Sequence, residues 1–113
     1  MKKNVISALL VAAAVGVMTV CPVGAEESQT YNVGICQLVQ HVALDAATEG
    51  FKDALTDKLG DAVTFDEQNA QGDSNTCSTI INSFVSNDVD LILANATPAL
   101  QAAAAGTDTI PIL

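Results

Sequence analysis

Residues Tyr31–Phe51 read YNVGICQLVQHVALDAATEGF, and a change of period inside this stretch decides the fold class. From Tyr31 to Val39 the residues are β-branched or apolar, with one Gly and no Pro, which marks a buried strand. Gln40 and His41 form a short polar turn. From Leu44 onward the apolar positions Leu44, Ala47, Phe51, Leu55 and Leu59 recur three or four apart, along one face of a helix. A strand that feeds a helix through a short turn is the first half of a βαβ unit. Ligands of open α/β sheets bind beyond the carboxyl ends of the strands, where helix N-termini leave backbone N–H groups unpaired. Function is therefore sought in the strand-to-helix turns.

The same plan repeats downstream. The first helix spans about Ala43 to Leu59, carries Asp45 in its first turn, and stops at Gly60. Ala62 to Phe65 reads as a short second strand. The polar run Asp66–Asn75, DEQNAQGDSN, reads as a loop in which Asp73 or Ser74 can cap the next helix. That helix places Cys77, Ile80, Ile81, Phe84 and Val85 on one stripe and ends near Asn87. Asp90–Ala94, DLILA, is apolar on both sides, as a central strand of a parallel sheet requires. Thr97 is placed to cap a third, Ala-rich helix from Pro98 to Ala105, and Gly106 ends it. Ile110–Leu113 begins a fourth strand, with Pro111 at its edge or start. The order β-α-β-α-β-α-β, with right-handed crossovers, gives an α/β fold: an open parallel sheet with helices on both faces.

Length and charge bound the rest. The chain of 113 residues accommodates one small domain. Thr109–Leu113 reads as a strand cut in its middle, so a fragment of a longer protein is expected, marginally stable alone. Lys2 and Lys3, an apolar run from Val5 to Val20, and the small residues of Val23-Gly24-Ala25 read as an export signal over residues 1–25. Cys21 offers a lipidation site, although Val20 before it is bulky for that processing. Residues 26–113 hold two basic and all thirteen acidic residues, a formal charge of −11. That excludes a nucleic-acid surface and docking on anionic lipid, since both need clustered cations. Cys36 and Cys77 belong to no CxxC or Cys/His cluster, so no metal or redox site is read; an exported context permits a disulfide between them, but the expected state is two buried free thiols.

Three turns share the expected ligand edge: Gln37–His41, Gln68–Asn75 and Asn95–Pro98. They are rich in amides and hydroxyls and poor in catalytic groups, which suits a small anion or zwitterion. Each has a plainer reading as well. Thr97-Pro98 can be only a helix cap, Asn69–Asp73 only a solvated loop, and His41 only a turn residue at a helix start. No GxSxG elbow, GxGxxG or GxxxxGK[ST] is present, which leaves no nucleophile elbow or nucleotide-phosphate cradle and no expected cofactor. The acidic cluster of a phosphorylated receiver domain is replaced by Gln37–Gln40 and Asn95.

The strings GICQLVQHVALDAATEGF, FDEQNAQGD and LILANATPALQAAA, followed by IPIL, resemble the substrate-binding proteins of ABC transporters in the tryptophan/tyrosine-type family. The resemblance covers Tyr31 to Leu113. It implies a non-catalytic receptor of two α/β lobes that clamps a small solute, with an amino acid the implied ligand and ABC permease subunits the implied partners. Residues 26–113 would then be the first part of lobe one, a periplasmic-binding-protein-like lobe, in an exported and periplasmic or cell-surface protein. Carried over by motif, the implied ligand contacts are Gln37 and His41, Asn69 and Gln71, and Thr97 with Pro98. The chain departs from the family at Val42, where Pro commonly follows the histidine. Two other readings stand beside this one: a sensory ectodomain that passes the ligand signal across a membrane, and a hydrolase-type enzyme relying on His41.

Overall fold

Alternation along the strands sets which side chains meet which helices. The computed structural model describes residues 28–113. The export signal over residues 1–25 and the lipidation site at Cys21 lie outside the described residues. The elements run β1 (Tyr31–Gln37), α1 (Val42–Leu59), a 3-10 turn (Gly60–Ala62), β2 (Val63–Asn69), α2 (Ser74–Ser86), β3 (Leu91–Asn95) and α3 (Thr97–Gly106). The three strands form a parallel sheet in the order β2-β1-β3. The α/β architecture with a parallel sheet is therefore as the sequence implies.

A fourth strand is present only as a bridge between Ile112 and Ile92. Three backbone hydrogen bonds hold it, from Ile92 N–H to Pro111 O, Leu113 N–H to Ile92 O, and Ala94 N–H to Leu113 O. Pro111 offers its carbonyl here, where its missing N–H costs nothing.

β1 is central and buried along five consecutive residues, Val33 to Gln37. Its odd residues, Val33 and Ile35, join Val63 in a core that Phe51, Leu55 and Leu59 of α1 cover. Its even residue Cys36 joins Cys77, Ile80, Ile81 and Phe84 of α2, Ile92 of β3, and Ala99 and Ala103 of α3. Helices thus lie on both sides of the sheet. On the α2 side the approach is closest at Gly34, where an added Cβ would sit 2.6 Å from the Phe84 ring. Gly34 is there because any side chain would displace α2.

The largest difference from the sequence reading is β2. The polar run Asp66–Asn69, expected as loop, continues the strand to Asn69 in register with Gly34–Gln37. β2 pairs with β1 on one side only, so its side chains at Glu67, Gln68 and Asn69 stay exposed. Backbone pairing to a central strand carries the extension where apolar patterning is absent. β1 conversely ends at Gln37, two residues short of the expected Val39.

Candidate functional site

The register brings the three turns to one rim. Gln37, the last residue of β1, has Asn69 as its partner on one side and Asn95 on the other. All three strands therefore end level, and each hands over to a helix. The sheet order makes β1 the strand from which the chain first steps to β2 and then crosses to β3. Such a reversal point leaves a crevice beyond the carboxyl ends.

Behind this rim lies a closed polar network. Gln37 is only 4% exposed. Its Nε2 donates to Val39 O at 2.9 Å and to Asp45 Oδ1 at 2.6 Å, and its Oε1 accepts from Thr48 Oγ1 at 2.7 Å. Thr48, 1% exposed, also accepts from Asn95 Nδ2 at 2.9 Å, and the same Asn95 amide donates to Leu44 O at 2.9 Å. The network joins the ends of β1 and β3 to the first two turns of α1. Buried amides demand such partners, because each unpaired polar atom would cost about 1–3 kcal/mol. Gln37 is among the ligand contacts that the resemblance implies. Its side chain points to α1, is buried, and uses its two N–H donors and its carbonyl oxygen internally.

His41 is the N-cap of α1, with extended backbone, and its Nδ1 accepts from Ala43 N–H at 3.1 Å. That leaves Nε2 to carry the proton when the ring is neutral. A pairing with Asp45 does not form, since Asp45 turns to Gln37. His41 and Val42 are both exposed, Val42 to 84%.

The second turn is built on Asn69, whose Oδ1 accepts from Gln71 N–H at 2.7 Å. This side-chain turn, with Gln71 at φ +52° and Gly72 at φ +87°, reverses the chain toward α2. Ala70 N–H donates to Gln37 O at 2.9 Å and Gly72 N–H to Leu38 O at 2.7 Å, so the second turn is laid against the first. Asp73, not Ser74, caps α2, accepting from Asn75 N–H at 2.9 Å and Thr76 Oγ1 at 3.0 Å. Val39, Gln40, Asn69 and Gln71 line an open depression between the two turns.

The third turn differs from the sequence reading. The N-cap of α3 is Ala96, which has no side chain to offer, and Thr97 is the first helical residue with Pro98 after it. The capping role expected of Thr97 is therefore absent, and its side chain stands exposed at the helix start. Ala96 holds φ +103° and ψ +156°, a conformation nearly confined to Gly. It turns the chain sharply from β3 into α3, so that the helix opens directly on the rim. The signal missed in the sequence was Ala96 itself, since an Ala carries no mark of positive φ.

Comparison with known proteins agrees with this geometry. The family model described as ABC transporter substrate binding protein matches residues 32–113. The chain is 49% identical over 85 residues to a "Tyrosine-binding protein" of Clostridioides difficile (strain R20291), an alignment covering 73% of this chain and 25% of that protein. It is similar to the ligand-free, open structure of a substrate binding protein with adhesive properties from Clostridium difficile, with 45% identity and TM-score 0.71, covering 74% of this chain and 30% of that one. It is also similar to an ABC domain in complex with L-Trp from Streptococcus pneumonia, with 32% identity and TM-score 0.70, covering 74% of this chain and 29% of that one. The chain thus spans about a quarter to a third of the length of the proteins it matches.

Proposed function

The chain belongs to the ABC transporter substrate-binding protein family, and from that premise we propose that it forms one wall of a cleft holding an amino acid for an ABC-type importer. The observation that carries the reading is the register of Gln37 with Asn69 and Asn95, which sets three strand-to-helix turns on one rim. Two similar proteins bear names that mention tyrosine and L-Trp, and this supports an amino acid, aromatic ones included, as the ligand class.

The residues divide the work. Thr97 Oγ1 and the backbone N–H groups at the start of α3 suit a carboxylate, which accepts hydrogen bonds and is favoured at the positive end of a helix dipole. His41, Asn69 and Gln71 supply donors and acceptors around the remainder of the solute, and Pro98 supplies a fixed apolar edge. Gln37 braces the rim from behind. The other half of the cleft belongs to a second lobe, residues 1–25 direct export, residues 26–113 open the first lobe, and closure of the two lobes traps the ligand for permease subunits to accept. The family's description as substrate-binding proteins supports a receptor that holds its solute unchanged.

Calorimetric titration of the two-lobed protein with single amino acids tests the reading. Saturable heat with L-tyrosine or L-tryptophan is expected, and Thr97→Ala should weaken binding by roughly tenfold, the worth of one charge-assisted hydrogen bond. No heat with any amino acid would overturn the ligand class.

A further inference from the structure

One side-chain amide ties together the two helix starts that carry His41 and Thr97. Asn95 ends β3 and shares its side of that strand with Leu91 and Leu93, which pack on the α1 side of the sheet. Its Nδ2 reaches α1 twice, donating at 2.9 Å to Leu44 O in the first turn and at 2.9 Å to Thr48 Oγ1 in the second. Leu44 O can only accept, so the amide nitrogen and not the oxygen must face α1. The backbone of Asn95 is held as well, since its carbonyl accepts from Leu38 N–H, just past β1, at 3.2 Å. Asn95 is therefore fixed against two frames, α1 through its side chain and β1 through its backbone. The next residue is the strained corner Ala96, at φ +103°. Ala96 O accepts from Ala99 N–H and Leu100 N–H, both at 3.1 Å, which holds the corner from its helix side. A residue other than Gly stays in such a conformation only where its surroundings leave it no alternative. The hydrogen bonds of Asn95 supply the upstream half of that constraint. Thr48 is the hub behind it. Its hydroxyl has one hydrogen, donated to Gln37 Oε1 at 2.7 Å, and a lone pair that takes Asn95 Nδ2. At 1% exposure Thr48 is out of reach of any solute on the rim.

We infer that Thr48 and Asn95 are positioning residues for the solute: from behind the rim they set the spacing between His41 at the start of α1 and Thr97 at the start of α3, and with it the affinity. The inference rests on the reading of the rim as an amino-acid site. A solute that bridges two helix starts binds more tightly when their spacing is fixed before it arrives, because less ordering is left to the binding step. Removing the Thr48 hydroxyl takes a partner from Asn95 and from Gln37 at once. Asn95 then holds α1 through Leu44 O alone, Ala96 relaxes toward an unstrained conformation, and the start of α3 shifts relative to α1. The solute must restore that arrangement as it binds. Affinity falls although no contact with the solute has been removed.

The test pairs calorimetric titration of the two-lobed protein, with L-tyrosine and with L-tryptophan, with chemical denaturation of the same samples. Thr48→Val should weaken binding by roughly three- to tenfold. Thr48→Ser keeps the hydroxyl and should recover most of that loss. Leu55→Ala lies on the same helix, among the apolar residues that cover Val33 and Ile35. It should lower stability and leave the affinity unchanged, which separates positioning from a general weakening of the fold. If Thr48→Val does not fold, Thr48→Ala takes its place and is compared with Thr48→Ser, from which it differs by the hydroxyl alone. Undiminished affinity in a folded variant that lacks the hydroxyl would overturn the inference while leaving the amino-acid site standing. So would equal weakening in Thr48→Ser or in Leu55→Ala. Silence of the unaltered protein toward both amino acids would instead overturn the reading of the rim, and this inference with it.

Discussion

The two faces of this sheet solve different problems. On the α2 and α3 face the packed cluster is apolar and close, with Phe84 over Gly34 and Cys36, Cys77, Ile81 and Ile92 all fully buried. On the α1 face the apolar residues Phe51, Leu55 and Leu59 are only half buried, and the rim end is closed by amides and hydroxyls. Phe51 meets Phe65 edge to face at 6.5 Å between ring centroids. The first face gives the sheet its stability. The second holds the ends of β1 and β3 at a fixed height relative to α1. Directional hydrogen bonds do this better than apolar packing, which tolerates sliding.

Substitutions should separate these contributions. The largest effect is expected of Phe84→Ala, which empties a fully buried aromatic site and should cost about 3–5 kcal/mol in chemical denaturation. A cost as small as that of Leu55→Ala on the half-buried face would break the contrast. Thr48→Val keeps the shape but removes the hydroxyl shared by Gln37 and Asn95. It should cost about 1–3 kcal/mol, and Thr48→Ser should recover most of it. Equal losses in both variants would mean that packing, not hydrogen bonding, sets the rim.

Ala96→Gly probes the strained corner between β3 and α3. Because Gly adopts φ +103° freely, stability should rise by about 1 kcal/mol. Lys52→Met should have the smallest effect. Lys52 bridges Glu49 on α1 and Glu67 on β2 at 3.2 and 2.8 Å, but the pairs are open to solvent and are worth at most about 0.5 kcal/mol. Its pKa is raised above 10.5, chiefly by the hydrogen bond to Glu67. A raised folded pKa means the contribution is complete below pH 10.5 and fades as pH climbs through the higher folded value. Denaturation curves of the two proteins should therefore converge in strong alkali.

The sequence made the apolar skeleton legible and left the polar closure hidden. Helix periods and stop residues located α1 and α2, because amphipathic spacing is a local signal. The polar half of β2 was not legible, since its pairing with β1 is a backbone interaction between residues 32 apart. The turn residues His41, Asn69 and Thr97 were identifiable by type and do gather on one rim. The inward turn of Gln37 was not, because Thr48 is 11 residues away and Asn95 lies 47 beyond Thr48, and only the folded sheet brings them together. The cap of α3 was misplaced by one residue, as Ala96 offers no side-chain clue to its backbone.

Amide-resolved NMR of the 113-residue chain titrated with L-tryptophan tests most directly whether this rim receives the ligand. The account predicts progressive shifts gathered in Val39–Val42, Asn69–Gly72 and Ala96–Ala99, weak in affinity but confined to the carboxyl ends of the strands. Shifts gathered instead at Tyr31, Val63 and Leu91, on the opposite edge of the sheet, or no shifts at saturating ligand, would contradict it.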